Sequence, residues 1–506
     1  MIKKIFKTLP DTIAAIDLGS NSFHMLIAKH EGENLIVIDQ LKESVRLGAG
    51  LDDSNQISED AATRALECLA RFGQRVKHIP AHGIRIVGTN TLRRAGNASE
   101  FLKKAEALLG HRIEIVSGVE EARLIYLGVS HHVVEENGRR MVVDIGGGST
   151  EITLGDRFDP IFIQSFEMGS VVISHKIFDG GKISHKRISL AELAAEVELE
   201  PYIKHYKELK WVDVIGASGA IKSIANVVSS MGWCANGISA ESLDKIINEL
   251  KRVEHVDELV LSGLKPERQP VFAGGVMVLK AIFNVFDIKH MQVSEGALRE
   301  GLLYDLIGRK HHEDTRNKTI QSWTKRYNVD EVHAENVKKI ALDLFSQAAD
   351  DWSIADDECQ QQLSWAASCH EIGLNISHSQ LHKHGEYIIR NADLLGFSRD
   401  DQKILSVLVR AHRSGFSSDL FKSLNDTWKE NAKKIALLLR ISVLLNRSRN
   451  YDNLLIPSIK VKQKQVRLKF PADFLTQHPL THADLTKEQS TLEQAGFTLE
   501  ILTSNN

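Results

Sequence analysis

The feature that most constrains this chain is a motif that occurs twice. Asp17-Leu18-Gly19-x-x-Ser22 and Asp144-Ile145-Gly146-x-x-Ser149 match position for position at one offset, since 144 − 17, 146 − 19 and 149 − 22 are all 127. Each copy follows an apolar strand-like run and leads into another, in IAAIDLGSNSFHMLIA and MVVDIGGGSTEITL. Two halves of about 125–160 residues, with the same turn at the same place, predict a duplicated domain with a ligand cleft between its halves. One copy alone reads as an ordinary hairpin turn with a capping aspartate; two in a common register argue for a shared task.

The surrounding pattern gives the class. Strand-like runs at Ile13–Asp17, Phe23–Ala28 and Leu35–Ile38 precede an amphipathic helix over Ser58–Lys77. The alternation continues through Ile84–Val87, Phe101–Leu109 and Ile113–Val116, so the class is α/β. After about residue 303 the periodicity turns helical, with five amphipathic stretches between Val329 and Asn446, and the chain closes on a basic hairpin, SIKVKQKQVRLKF, and a short α/β piece. The expected division is a first lobe over 1–125, a second lobe over 126–303, an all-α domain over 304–447 and a small α/β domain over 448–506. KHHEDTRNKT (310–319) reads by composition as a linker and equally as a solvated helix end.

A chain of 506 residues has room for three or four such domains. Its 63 Lys+Arg nearly balance 66 Asp+Glu, which argues against DNA or RNA as a partner; an anionic ligand has to meet local cations or converging backbone N–H groups. Lys280 and Arg440 interrupt the longest apolar runs, so no integral membrane association is expected, while peripheral contact is compatible with the sequence. MIKKIFKTLP is basic but lacks the apolar stretch and cleavage site of a secretory signal. Four scattered cysteines without a CxxC pair suit reduced thiols, hence a cytoplasmic protein.

The turns suggest phosphate chemistry. Consecutive N–H groups at Gly19, Ser20, Asn21 and Ser22, and at Gly146, Gly147, Gly148, Ser149 and Thr150, can converge on phosphate oxygens, with the hydroxyls as further donors. Asp17 and Asp144, at strand ends, can hold a divalent cation directly or through water. Arg93 in GTNTLRRA offers a bidentate guanidinium, Arg94 less so, and Gly219 in GASGAI opens a helix whose amides can face an anion. His378, His382 and His384 sit with Lys383 in what reads as a loop entering a helix, a composition suited to a long polyanion. Lys460, Lys462, Lys464, Arg467 and Lys469 alternate as on a solvated strand.

These motifs, with SGVEEARLIYLGV, GASGAIKSIA and SEGALREGLLYD in the same order, resemble the exopolyphosphatase and guanosine pentaphosphate phosphohydrolase family, and the resemblance covers the whole chain. It implies two duplicated lobes of the actin-like ATPase type, followed by an all-α HD-like domain and a small C-terminal α/β domain. It implies that Glu121 is the catalytic base, that Glu151 lies at or near the metal, and that the cofactor is Mg²⁺. Neighbouring Glu120 is the competing carboxylate, and only the family register selects Glu121. The expected activity is release of terminal orthophosphate from inorganic polyphosphate, processively and as a homodimer, without a covalent enzyme intermediate. The alternatives are a guanosine pentaphosphate 5′-phosphatase, a kinase of the same superfamily, and a non-catalytic polyphosphate or alarmone sensor. A guanine pocket is not located by the sequence.

The helical part holds His333 and His370-Glu371, a spacing similar to HD-type metal phosphohydrolases. Glu371 stands where an aspartate is wanted, and no final aspartate occurs in Val409-Arg410-Ala411-His412-Arg413. A structural remnant is the expectation there, rather than a second metal centre.

Overall fold

Strand β1 (Thr12–Leu18) is apolar at most positions because it is covered on both faces. Ala14, Ile16 and Leu18 point into one core, while Ile13 and Ala15 point into another. The computed structural model describes residues 9–504 apart from 32–33, 53, 134–137, 311–313 and 450–454, so most of MIKKIFKTLP lies outside the described residues. It divides into two units, Thr8–Glu313 and Asp314–Asn506.

In the first unit, β1 joins β2 (Ser22–Glu31), β3 (Asn34–Ser44), β4 (Ile84–Gly88) and β5 (Glu114–Ile115) in a sheet of order β3-β2-β1-β4-β5. The second sheet adds β6 (Arg139–Ile145), β7 (Thr150–Asp156), β8 (Asp159–Phe166), β9 (Asp213–Ala217), β10 (Ile238–Ser239) and β11 (His290–Val293) in the order β10-β11-β9-β6-β7-β8. The duplication read from the motifs is therefore physical. Each sheet has an antiparallel meander, β1-β2-β3 or β6-β7-β8, and a parallel neighbour, β4 or β9, beside its first strand. Asp17 pairs with His24 across its hairpin, and Asp144 pairs with Glu151, so His24 and Glu151 hold the same position in the two halves.

Two helices lie in a core shared by both sheets. Gly118–Ser130 starts at Ser117, whose side chain accepts from Glu120 N, and it packs on Leu298–Lys310. Their backbones nearly touch: a Cβ on Gly128 would stand 2.0 Å from Ala297 O, and one on Gly301 1.8 Å from Leu124 O. Leu302, Leu303, Leu306 and Ile307 are buried there beside Val142, Ile215 and Ala217. The expected boundaries at 125–126 and 303–304 thus fall inside helices that belong to the first unit. Helix Gln269–Phe286 lies within a stretch long and apolar enough to span a membrane by length and composition, yet Val276, Met277, Val278 and Leu279 are fully buried in the second lobe's core. A buried ionic network braces this unit. Arg85 donates to Asp305 at 2.6 Å and Glu114 at 2.8 Å, and Arg123 donates to Asp305 at 2.6 Å and twice to Glu120 at 2.8 Å.

The second unit packs helices Thr315–Arg326, Glu331–Ala348, Asp357–Cys369, Leu381–Asn391, Arg399–Ala411 and Asp426–Leu445. Part of KHHEDTRNKT is therefore helix, opened by Asp314, whose side chain accepts from Arg316 N; residues 311–313 lie outside the described residues. Helix Asp357–Cys369 stops before HEIGL, which forms a 3-10 turn over Ile372–Asn375. The terminal sheet, order β12-β13-β14, consists of β12 (Ser458–Lys462), β13 (Gln465–Phe470) and β14 (Thr498–Thr503). Its inward residues Ile459, Val461, Val466, Leu468 and Leu499 share one core with the helices, while Lys460, Lys462, Arg467 and Lys469 are exposed.

Candidate active site

The two motif turns approach each other at the mouth of a cleft of about 580 Å³ in the first unit. Each turn needs its first glycine, because the chain folds back so tightly that a Cβ on Gly19 would sit 2.9 Å from Ser22 O and one on Gly146 3.0 Å from Ser149 O. Gly147 lies against Ser20, and Gly148 against the side chain of Asn90. Asp17, Gly19, Ser20, Asn21 and Ser22 line one side of the cleft; Asp144, Gly146, Gly147, Gly148 and Ser149 line the other. Gly219 lines it too, behind Ser218, whose side chain accepts from Ile221 N.

The carboxyl groups of Asp17, Glu121 and Asp144 line this cleft, and that of Glu151 is buried behind them. Glu121, in the first turn of helix Gly118–Ser130, faces the cleft, whereas Glu120 is fully buried and held by Arg123. The structure so separates two neighbours that composition could not. Burial pushes the Glu121 carboxyl up, and Arg93 opposes this, donating to Glu121 at 3.2 Å and to Val116 O at 2.7 Å. Arg93 is thus engaged with the carboxylate. Burial and then Glu121 raise Asp17 to about 7. Burial, Glu121 and Asp17 raise Asp144 well above its ordinary range, and burial with Glu121 and Asp144 does the same to Glu151, which accepts from Ser165 at 2.8 Å. Carboxylates that raise one another in this way are a set short of positive charge. Asp17 Oδ1 is sealed from solvent with no hydrogen-bond partner. An oxygen-rich, acidic, under-satisfied cluster fits a hard divalent cation.

Some expectations need correction. The Thr150 hydroxyl donates to Met168 O inside the protein, so it is spent on the fold. His382 and His384 lie within helix Leu381–Asn391 of the other unit, not in a loop; His382 is buried, and only His378, in the turn before it, is exposed. Other residues went unread in the sequence. Lys42, Lys222, Arg268 and Arg299 line the cleft and surround His24, whose ring is held near a pKa of about 3 by burial and by these cations. Lys222 and Arg299 stood inside stretches already singled out, GASGAIKSIA and SEGALREGLLYD, but only the fold turns them toward one space. Leu26, Ile125, Leu298 and Leu303 add an apolar wall, and the stacked pair His131 and Tyr304, 3.5 Å between ring centroids, lines the same cleft.

Duplicated actin-like lobes that bring two glycine turns and buried carboxylates to one cleft define the class of fold. Within that class the chain belongs to the Ppx/GppA phosphatase family, hydrolases of phosphoanhydrides. The family's model matches residues 26–310 and that of its domain III matches 315–489. The chain is 36% identical over 98% of its length to a guanosine-5′-triphosphate,3′-diphosphate pyrophosphatase of Aliivibrio fischeri, covering 98% of that protein. It is 37% identical over 97% of its length to one of Pseudoalteromonas translucida, covering 99% of it. Among solved structures, an exopolyphosphatase from Cytophaga hutchinsonii shares the fold at a TM-score of 0.54 and 22% identity, over 59% of this chain and 98% of that one. The Aquifex aeolicus Ppx/GppA family member does so at 0.51 and 23%, over 60% and 99%.

Proposed function

We propose that this protein is a guanosine pentaphosphate 5′-phosphohydrolase, removing the terminal phosphoryl group of the 5′-triphosphate. This reverses the order in which the sequence ranked its substrates, where bare polyphosphate came first. Relatives named for the nucleotide, matching almost end to end, support the change. The observation that carries it is the make-up of one cleft. Beside the carboxylate floor it has an apolar wall and four cations, Lys42, Lys222, Arg268 and Arg299. A ligand whose ribose carries phosphates on its 5′ and 3′ oxygens and a planar base beside them uses all three regions, whereas a bare phosphate chain leaves the wall without a partner.

In this reading the backbone N–H groups of the two turns hold the terminal phosphoryl oxygens. Glu121 orients a water in line with the terminal phosphorus and takes its proton; the new P–O bond forms as the bond to the bridging oxygen breaks, and the charge leaves on the shortened nucleotide. Arg93 fixes the position of the Glu121 carboxylate. Asp17 and Asp144, with Glu151 behind them, would hold Mg²⁺, which when bound neutralises charge on the phosphoryl oxygens. The test is orthophosphate release by the purified protein with Mg²⁺, comparing guanosine pentaphosphate with long-chain polyphosphate. A higher kcat/KM for the nucleotide is expected; a preference for polyphosphate overturns the assignment while leaving the site intact.

A further inference from the structure

We propose that the helical unit binds one transition-metal ion of the zinc class through His333, His370, His412 and Glu371, separate from the carboxylate cleft. Three helices and one turn bring these residues together. His333 projects from helix Glu331–Ala348, His370 and Glu371 follow helix Asp357–Cys369, and His412 caps helix Arg399–Ala411. A ligand atom from each of His333, His370 and Glu371 lies within 4.8 Å of the other two. The His370 ring centre is 5.3 Å from that of His333 and 5.4 Å from that of His412. Position 412 falls in the segment where the sequence offered no closing carboxylate, and the fold supplies a third imidazole there instead.

The protonation pattern points the same way. His370 Nδ1 lies 2.7 Å from Ala367 O and His412 Nδ1 lies 2.6 Å from Val409 O. A carbonyl oxygen can only accept, so each Nδ1 carries the proton and each Nε2 keeps its lone pair. This is the outer-sphere arrangement that orients metal-binding histidines, with the second ring nitrogen donating to a backbone carbonyl. His370 Nε2 is buried and has no hydrogen-bond partner. A lone pair sealed away from water and from donors is costly, and an ion satisfies it.

The charges also suit a dication. Glu371 accepts from Arg449 at 2.6 and 2.8 Å, and Arg449 donates to Asp330 at 2.7 Å, so these three groups sum to one negative charge beside the neutral imidazoles. The carboxylate has lone pairs beyond the two that face the guanidinium. His382, with its ring centre 6.4 Å from that of His412, lies just outside the group. Three imidazoles and one carboxylate select Zn²⁺, Co²⁺ or Ni²⁺ over Mg²⁺, which prefers oxygen ligands. Ligand atoms on a tetrahedral ion are roughly 3.3–3.5 Å apart, so His333, His370 and Glu371 have to close by up to about 1.4 Å on binding, and His412, which stands outside their 4.8 Å limit, by more.

The test uses the tag-free, metal-stripped full chain titrated with Co²⁺ and followed by its visible absorption, with Zn²⁺ binding measured by calorimetry. One equivalent per chain is expected, with the intense bands of tetrahedral cobalt. His370→Gln and His412→Gln should each weaken binding at least about tenfold, while Asp144→Asn, which alters the cleft, keeps it. Zn²⁺ should raise the melting temperature of the unsubstituted chain and of Asp144→Asn. If a histidine variant fails to fold, Glu371→Gln, with Arg449 left in place, serves instead and should lose most of the Zn²⁺-induced rise. Absence of saturable binding, or binding untouched by the histidine and Glu371 substitutions but lost in Asp144→Asn, overturns the proposal.

Discussion

Replacing Gly301 by alanine tests whether the close approach of two helices positions Glu121, the carboxylate proposed as the base. The new methyl would lie 1.8 Å from Leu124 O, against an ordinary carbon–oxygen contact of about 3.4 Å, so helices Gly118–Ser130 and Leu298–Lys310 must part by roughly 1.5 Å. Parting them loosens the packing of Leu124, Ile125, Leu302 and Leu303, and overpacking of this kind costs about 1–3 kcal/mol. For a unit of this size that is a melting shift of roughly 2–5 °C. Glu121 rides on the first of these helices, two turns before Gly128, and a misplacement of about 1 Å at a catalytic group can cost on the order of 100-fold in rate. Gly128→Ala, whose methyl would meet Ala297 O at 2.0 Å, should act in the same direction. Gly415→Ala, with nothing within 4 Å, should be silent in both measurements. Calorimetric melting and orthophosphate release under saturating substrate read out the two effects. A Gly301→Ala protein that melts within about 1 °C of the parent and turns over within about twofold of it would falsify the argument.

Other outcomes follow from the cleft. Glu121→Gln, which keeps the size but cannot take a proton, should lower kcat by about 10²–10⁴-fold with little change in KM; a loss under about tenfold removes Glu121 as base. Arg268→Gln should raise KM for guanosine pentaphosphate more than for polyphosphate, and equal effects would detach Arg268 from nucleotide selection. The native Asp17 pKa of about 7 lies above its ordinary value of 3.8, so the folded state binds more protons than the unfolded state between those limits. Stability of the metal-free protein should therefore fall as pH rises through that window, and Mg²⁺ should flatten the decline; a melting temperature that rises over that range in metal-free buffer contradicts the clustering. Asp17→Asn should make the metal-free protein more stable at neutral pH while abolishing Mg²⁺-dependent turnover, and unchanged turnover would exclude Asp17 from the metal site.

The turns were legible in the sequence because their chemistry is local. A glycine, a serine and a strand-end aspartate at fixed spacing describe a hairpin completely, and the same register recurs in the pairing of Asp17 with His24 and of Asp144 with Glu151. The helical segments were legible for the same reason, as in Glu59–Val76, where the Ser58 side chain accepts from Ala61 N. Residues that meet only through long-range folding were not. Arg268 and Arg299 come from opposite ends of the second lobe's last segment, and Lys42 from an edge strand of the first sheet; nothing in their neighbourhoods tells them from solvated cations. The charges of KHHEDTRNKT suit a helix end as well as a loop, so composition left both open, and Asp314 uses its charge as a cap on the helix that forms. Thr150 was misassigned because its hydroxyl faces a partner, Met168 O, that only the tertiary structure brings near.

The terminal sheet bears on how the chain is made. β13 lies between β12, joined to it by the two residues Gln463 and Lys464, and β14, which pairs in parallel only after the intervening helix Pro479–Glu493. Trp352 Nε1 donates to Gln463 O at 2.8 Å, and Arg440 pairs with Glu488 in the interior, so helices synthesised early wait for partners synthesised last. During translation the first unit can close as soon as residue 313 clears the ribosome, while the second holds an open apolar surface until β14 is made. A product stalled before β14 would thus contain a finished first unit joined to a second whose sheet and core are still open.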